Sequence, residues 1–323
     1  NRAGVMTDAL PSFTVLALYR FVDFERFESF QIPLLDFCKK HGLKGTLLIA
    51  KEGLNGTIAG SSDSIAEFLN FLRQQPEFVD IDGQYSHCEK PPFLRMKVKL
   101  KQEIVSLGVD TIDPKQQVGI YVQPEEWNQL IANPDTLIID TRNRYEFDIG
   151  TFSGAINPET DAFREFPEFE KKHLAEHKDK PIAMFCTGGI RCEKATSFLL
   201  SQGYNQVYHL KGGILNYLAN VKTSESLWQG ECFVFDERVT VDHHVQPGTY
   251  DMCHACRYPI TEADKLSDDY KPGVSCPHCI GQKNSEQLQR YTERQKQMQL
   301  AKDRQTIHLG AVHSSFTKPC LTD

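Results

Sequence analysis

Apolar and polar positions alternate with three different rhythms along this chain. In the first stretch, FTVLALYR at 13–20 and KGTLLIA at 44–50 read as strands, and 26–41 carries apolar residues near helical spacing. KEGLNGT supplies turn chemistry ahead of a short strand at 56–59, and a helix at 62–74 opens on Ser62 or Asp63 as its cap. FLRMKVKLK at 93–101 alternates strictly and closes the set. Strand-helix-strand-strand-helix-strand is the ferredoxin-like (acylphosphatase-like) order, which covers one sheet face with helices and leaves the other open.

From about 118 the rhythm changes to short apolar strands, at 120–122, 136–140, 181–185 and 206–209. They alternate with helices at 124–132, 161–176, 191–202 and 212–219, a pattern that implies a mostly parallel sheet. Ile112-Asp113-Pro114 marks the expected linker. After about 226 the alternation stops, cysteines organise the chain, and a polar helix-prone tail runs from about 283 to 304, with a loose extreme C-terminus. The expected fold class is therefore α/β plus α+β: a ferredoxin-like domain over 1–112, a parallel-sheet domain over 113–225, and a small Cys-rich region with a helical tail over 226–323.

The candidate chemistry begins at Cys186. PIAMFCTGGIRCEKATSFLL ends a buried strand at Phe185, turns through Cys186, Thr187, Gly188, Gly189, Ile190 and Arg191, and enters a helix at once. A cysteine at the C-terminal edge of a parallel sheet lies where such folds carry their sites. Two glycines let backbone N–H groups point inward, and the helix N-terminus and Arg191 add positive charge, so thiolate is favoured over thiol. Asp140 and Arg142, at a neighbouring strand end, either orient this loop or form a structural ion pair. Cys192 either resolves an oxidised Cys186 as a disulfide or packs as an ordinary helix cysteine.

MCHACRYPI at 252–260 and SCPHCIGQ at 275–282 hold two Cys-x-x-Cys pairs, Cys253/Cys256 and Cys276/Cys279, 19 residues apart. Four thiolates suit a tetrahedral structural zinc, and a small domain with little apolar content needs such a staple. Reduced metal-free cysteines or redox pairs are the alternatives.

Ten cysteines would also fit a secreted disulfide protein. There is, however, no basic stretch leading into an apolar one at the N-terminus, and no apolar run approaches the ~20 residues of a membrane span. The expectation is a cytoplasmic protein with no membrane partner. A net charge of -7 argues against indiscriminate nucleic-acid binding, so any RNA contact must be local. Lys90 to Lys101 holds five basic residues and no acidic one; Arg95, Lys97, Lys99 and Lys101 share one face by period-two geometry. The alternative is a solvated strand whose charges prevent edge aggregation. From Lys283 onward, seven basic residues against four acidic ones form a weaker candidate.

Ile139-Asp140-Thr141-Arg142, GTFSGAINPE and HLKGGILNYL around CTGGIR resemble the signature segments of rhodanese domains, whose loop cysteine carries a persulfide. The four residues between Cys186 and Arg191 match that family rather than the related phosphatases, which have five. With the ferredoxin-like start, CFVFDERV at 232–239 and the Cys-x-x-Cys pairs, nearly the whole chain is similar to the bacterial TrhO family. That resemblance implies oxygen-dependent hydroxylation of the wobble uridine in the tRNA anticodon loop to 5-hydroxyuridine, with Cys186 essential. The residues themselves contain no two-histidine-one-carboxylate iron motif and no flavin, haem or NAD motif. A thiosulfate-type sulfurtransferase working through a Cys186 persulfide and a non-catalytic RNA-binding scaffold are the competing readings.

Overall fold

In the computed structural model, which describes residues 12–303, apolar alternation in the first strands produces a one-sided sheet. Leu16 and Leu18 of β1 (Phe13–Phe21), Leu47 and Ile49 of β2 (Lys44–Ala50), and Leu54 and Ile58 of β3 (Gly53–Gly60) face one way. They bury against Phe30 and Leu34 of α1 (Phe27–Lys40) and Ile65, Phe68 and Leu72 of α2 (Ser62–Arg73). Ser61, not Ser62 or Asp63, caps α2 by accepting from the Ser64 N–H.

Two further strands, β4 (Gly83–Cys88) and β5 (Met96–Leu100), complete the order β4-β1-β3-β2-β5. The strand expected at 93–101 is therefore an added fifth strand, parallel to β2, and the ferredoxin-like fourth strand is GQYSHC, antiparallel to β1. Only Cys88 is buried in that strand, so it lacks the apolar alternation that would have revealed it.

The second sheet face is not open. Asn55 donates to the Ile104 carbonyl at 2.8 Å, and Glu52 accepts from the Ile104 N–H at 2.6 Å. Lys194, from the central domain, pairs with Glu52 and Glu103 at 2.9 and 2.5 Å. The connection is docked as well: Leu107 is buried in the central core, with Val105, Val109 and Ile112 packed against it.

The central sheet has the order β6-β10-β9-β7, all parallel, from β6 (Ile120–Val122), β7 (Leu137–Asp140), β9 (Ile182–Phe185) and β10 (Val207–Leu210). Every residue of β9 is buried, Ala183 and Phe185 into one core and Ile182 and Met184 into the other. Helices α3 (Pro124–Ile131) and α7 (Gly213–Asn220) serve the first core, and α5 (Phe166–His173) and α6 (Ile190–Ser201) the second. The helix expected over 161–176 is shorter: a 3-10 turn at Phe163–Glu165 runs into α5, whose start is set by Pro167. Two short elements, α4 (Arg144–Phe147) and β8 (Gly150–Phe152), do not follow from the sequence pattern.

Residues 226–249, expected to open the third domain, belong to the first compact unit, which ends at Thr249. β11 (Trp228–Gly230) pairs with β8, and Trp228, Cys232, Val234, Val241 and Val245 fill the core beneath it. A hairpin of β12 (Cys232–Phe233) and β13 (Thr240–Val241) follows. The second unit begins at Tyr250 and contains β14 (Asp251–Met252), β15 (Pro259–Ile260), α8 (Glu262–Lys265) and α9 (Ser285–Asp303). The C-terminal end of the chain lies outside the described residues. Among the described residues no helix is long and apolar enough to cross a membrane.

Candidate active site

Cys186 follows β9 directly, and its sulfur accepts the Gly189 N–H at 3.1 Å. Gly189 has φ +100°, which closes the loop and starts α6; Gly188 needs no such conformation, and a Cβ there would meet open space. The loop is seated from behind by α7. Ile214 and Leu215 N–H groups donate to the carbonyls of Cys186 and Thr187 at 2.9 and 3.1 Å. A Cβ on Gly213 would lie 2.5 Å from the Cys186 carbonyl oxygen, so the second glycine of HLKGGILNYL allows this approach.

Burial pushes the Cys186 thiol up, but hydrogen bonding by the Cys192 side chain, the Arg191 charge and the Cys192 and Arg191 backbone N–H groups pull it down further, to about 6. Burial and the Cys186 charge hold Cys192 protonated, so it is the donor of the pair. The Thr141 hydroxyl lies 3.6 Å from the Cys192 sulfur.

Arg191 does not stand free beside the sulfur. Its two terminal nitrogens donate to Glu146 at 2.7 and 2.8 Å, with Glu146 fully buried. Glu146 also receives the Thr187 hydroxyl at 3.3 Å and completes the capping box of α4 with Asn143. The short, weakly periodic segment 144–147 hid this carboxylate from sequence reasoning.

Asp140 and Arg142 form a bidentate pair at 2.9 and 2.7 Å with both side chains fully buried. Arg142 also donates to the Gly150 carbonyl, and Thr151 to Asp140. The pair ties the exit of β7 to β8.

Two phenols frame the opposite side. Tyr19 donates to Glu193 Oε1 at 2.8 Å and Tyr121 to Oε2 at 2.7 Å. Burial raises the Glu193 carboxyl, which the two phenolic donors partly offset. A Cβ on Gly189 would lie 3.0 Å from the Tyr19 hydroxyl, so the first sheet contacts the Cys186 loop itself. Tyr19 reads as an ordinary strand residue in sequence, and only tertiary packing brings it here.

Residues 13–104 match the UPF0176 acylphosphatase like domain, and residues 123–220 match the rhodanese-like domain. The tRNA uridine(34) hydroxylase of Sinorhizobium fredii is 55% identical over 304 residues, covering 94% of this chain and 97% of that protein. That of Rhizobium leguminosarum bv. trifolii is 54% identical over 309 residues, covering 95% and 100%. This chain belongs to the tRNA uridine(34) hydroxylase family. The crystal structure of the Alr3790 protein from Anabaena sp. is 21% identical, covers 34% of this chain and 91% of that one, and superposes with a TM-score of 0.28.

The remaining sequence candidates separate clearly. Within β5, Val98 is buried and Lys97 and Lys99 lie on the opposite face, as alternation requires; Arg95 and Lys101 flank the strand and are exposed. Register extends the result: Tyr19 pairs with Asn55, Asn55 with Leu48, and Leu48 with Lys99. Lys99 thus shares one transverse row with the phenol that touches the Cys186 loop, about 14 Å away at ordinary strand spacing.

In the second unit, the sulfurs of Cys253, Cys256, Cys276 and Cys279 all lie within 4.8 Å of one another. Cys256 to Cys276 is 3.8 Å and Cys276 to Cys279 is 3.7 Å. Tetrahedral Zn–S bonds of about 2.3 Å place their sulfurs about 3.8 Å apart, so the cluster fits a metal such as zinc.

Proposed function

We propose that this protein hydroxylates the wobble uridine of tRNA to 5-hydroxyuridine, with molecular oxygen as co-substrate and Cys186 as the reacting group. The observation that carries this reading is a thiolate cradled by loop and helix amides, in a chain aligned over 94–95% of its length with tRNA uridine(34) hydroxylases. The Cys186 thiolate adds to C6 of uracil, and the electron pair of the C5–C6 double bond moves toward C5 and O4. C5 then bonds one oxygen atom. Two electrons and two protons from a thiol-class reductant break the O–O bond and release the second oxygen as water, the reductant leaving as its disulfide, and loss of the C5 proton with expulsion of Cys186 restores the ring. The loop amides stabilise the sulfur anion at both ends of the cycle. Arg191, neutralised by Glu146, positions the loop and lends part of its charge.

The wobble base already lies in a loop, so taking it unpaired costs little. Arg95, Lys97, Lys99 and Lys101, at the β5 edge of the sheet, contact the tRNA phosphates. The four-cysteine cluster holds a structural zinc, because four thiolates leave no open position for catalysis. Such a tRNA enzyme works in the cytoplasm.

The test is mass spectrometry of nucleosides from tRNA of a deletion strain complemented with wild-type or Cys186→Ser protein. The reading stands if 5-hydroxyuridine derivatives vanish on deletion and return only with the wild type. Unchanged levels would replace it with sulfur transfer through a Cys186 persulfide. Cys186→Ser should still bind tRNA.

A further inference from the structure

CFVFDERV at 232–239 takes no part in the chemistry described so far, yet its hairpin is held firmly beside the loop. Phe233 is buried and meets Tyr145 edge-on at 5.1 Å. Arg238 clasps Asp236 at 2.8 and 2.6 Å and reaches Ser86 of the first sheet at 2.7 Å. The Glu237 N–H donates to the Pro92 carbonyl at 2.9 Å. Val239 is held at φ +64°, a strained conformation for a β-branched residue that persists only where the surroundings enforce it.

All of this fixes the tip, and the tip presents Phe235. Phe235 is 60% exposed, the most of any Phe, Tyr or Trp residue among the described residues. It stands edge-to-face on Phe233 at 5.1 Å, and the Arg191 guanidinium carbon lies 6.0 Å from its centre. Isolated exposed apolar residues are common and need no function. An exposed ring on a braced hairpin, facing the arginine of a nucleophile's loop, is a different case.

We propose that Phe235 is the platform on which the target uracil stacks while Cys186 reacts with it; this rests on the uridine-hydroxylation reading. Single-stranded bases are held by stacking on aromatic side chains, and a uracil on this ring lies beside the Arg191 end of the loop. The hairpin therefore acts as the wall opposite Tyr19.

The test combines two alterations. Binding is measured with full-length protein in a Cys186→Ser background, using a short anticodon-loop RNA hairpin that carries either uridine or an abasic site at the wobble position. Turnover is measured with the intact thiol. Phe235→Ala and Phe235→Leu should each weaken binding of the uridine hairpin roughly tenfold, and Phe235→Trp should retain it. The abasic hairpin should bind the Phe235-bearing protein as weakly as Phe235→Ala binds either hairpin, because both alterations remove the same stacking interaction. Effects that multiply, or a Phe235→Leu variant equal to the unsubstituted protein, would overturn the platform. If the coupling is found but wild-type protein forms no 5-hydroxyuridine, the platform stands and the hydroxylation reading falls. Hydroxylation without coupling leaves that reading in place and removes the platform.

Discussion

The Tyr19 hydroxyl donates to Glu193 Oε1 at 2.8 Å, across the boundary between the N-terminal sheet and the helix that follows the Cys186 loop. With the Gly189 contact of the same hydroxyl, it brings the N-terminal sheet against the Cys186 loop. Tyr19→Phe should leave the buried carboxylate with Tyr121 alone and cost about 1.5–3 kcal/mol, as hydrogen bonds to charged groups do. Urea unfolding measures the loss; a change within error would mean the carboxyl finds another donor.

Cys186 should behave as a thiolate well below the ordinary thiol range. A depressed folded pKa means that the reactive anion persists as pH falls and is lost only on passing through about 6. Iodoacetamide modification of the Cys186 peptide, followed by mass spectrometry across pH, should show that midpoint. Cys192→Ala, which removes the sulfur's side-chain donor, should move it upward, and Cys192→Ser should move it less.

Glu146→Gln should be among the most damaging single changes. It leaves the Arg191 guanidinium buried without its counter-charge, for which removal of one partner typically costs about 3–5 kcal/mol. Thermal or urea denaturation reads this directly. A mild effect would show that water reaches the arginine.

The basic face has an electrostatic signature. Lys97→Ala and Lys99→Ala together should weaken tRNA binding and lower the slope of log affinity against log salt by about 2, one unit for each phosphate no longer neutralised. An unchanged slope would return these residues to the role of a solvated sheet edge.

Metal analysis of the full-length protein should find one zinc per chain, lost in Cys276→Ala. Chelation should then remove hydrogen-exchange protection from the segment around Cys253–Cys279 while β9 and α6 keep theirs, because the cluster supplies most of the small core of its unit. Protection lost throughout would contradict the division into two units.

The sequence by itself determined the local chemistry. Strict alternation put Val98 inward and Lys97 and Lys99 outward, and the strand-loop-helix run placed Cys186 at a sheet edge on the helix N-terminus. The cysteine spacing pointed to a four-sulfur cluster, with redox pairs or separate thiols as alternatives, and the fold brought the four sulfurs together. These features depend on neighbours a few residues apart, which periodicity and spacing encode. Tertiary structure decided what no period records: Glu146 as the partner of Arg191, GQYSHC as the fourth strand, residues 226–249 as part of the central core, and Tyr19 against Gly189. Each joins segments far apart in the chain. Their residue types, a carboxylate, a polar edge strand and a tyrosine, look alike in sequence whether they face water or a thiolate, because burial and pairing are fixed only when the domains pack.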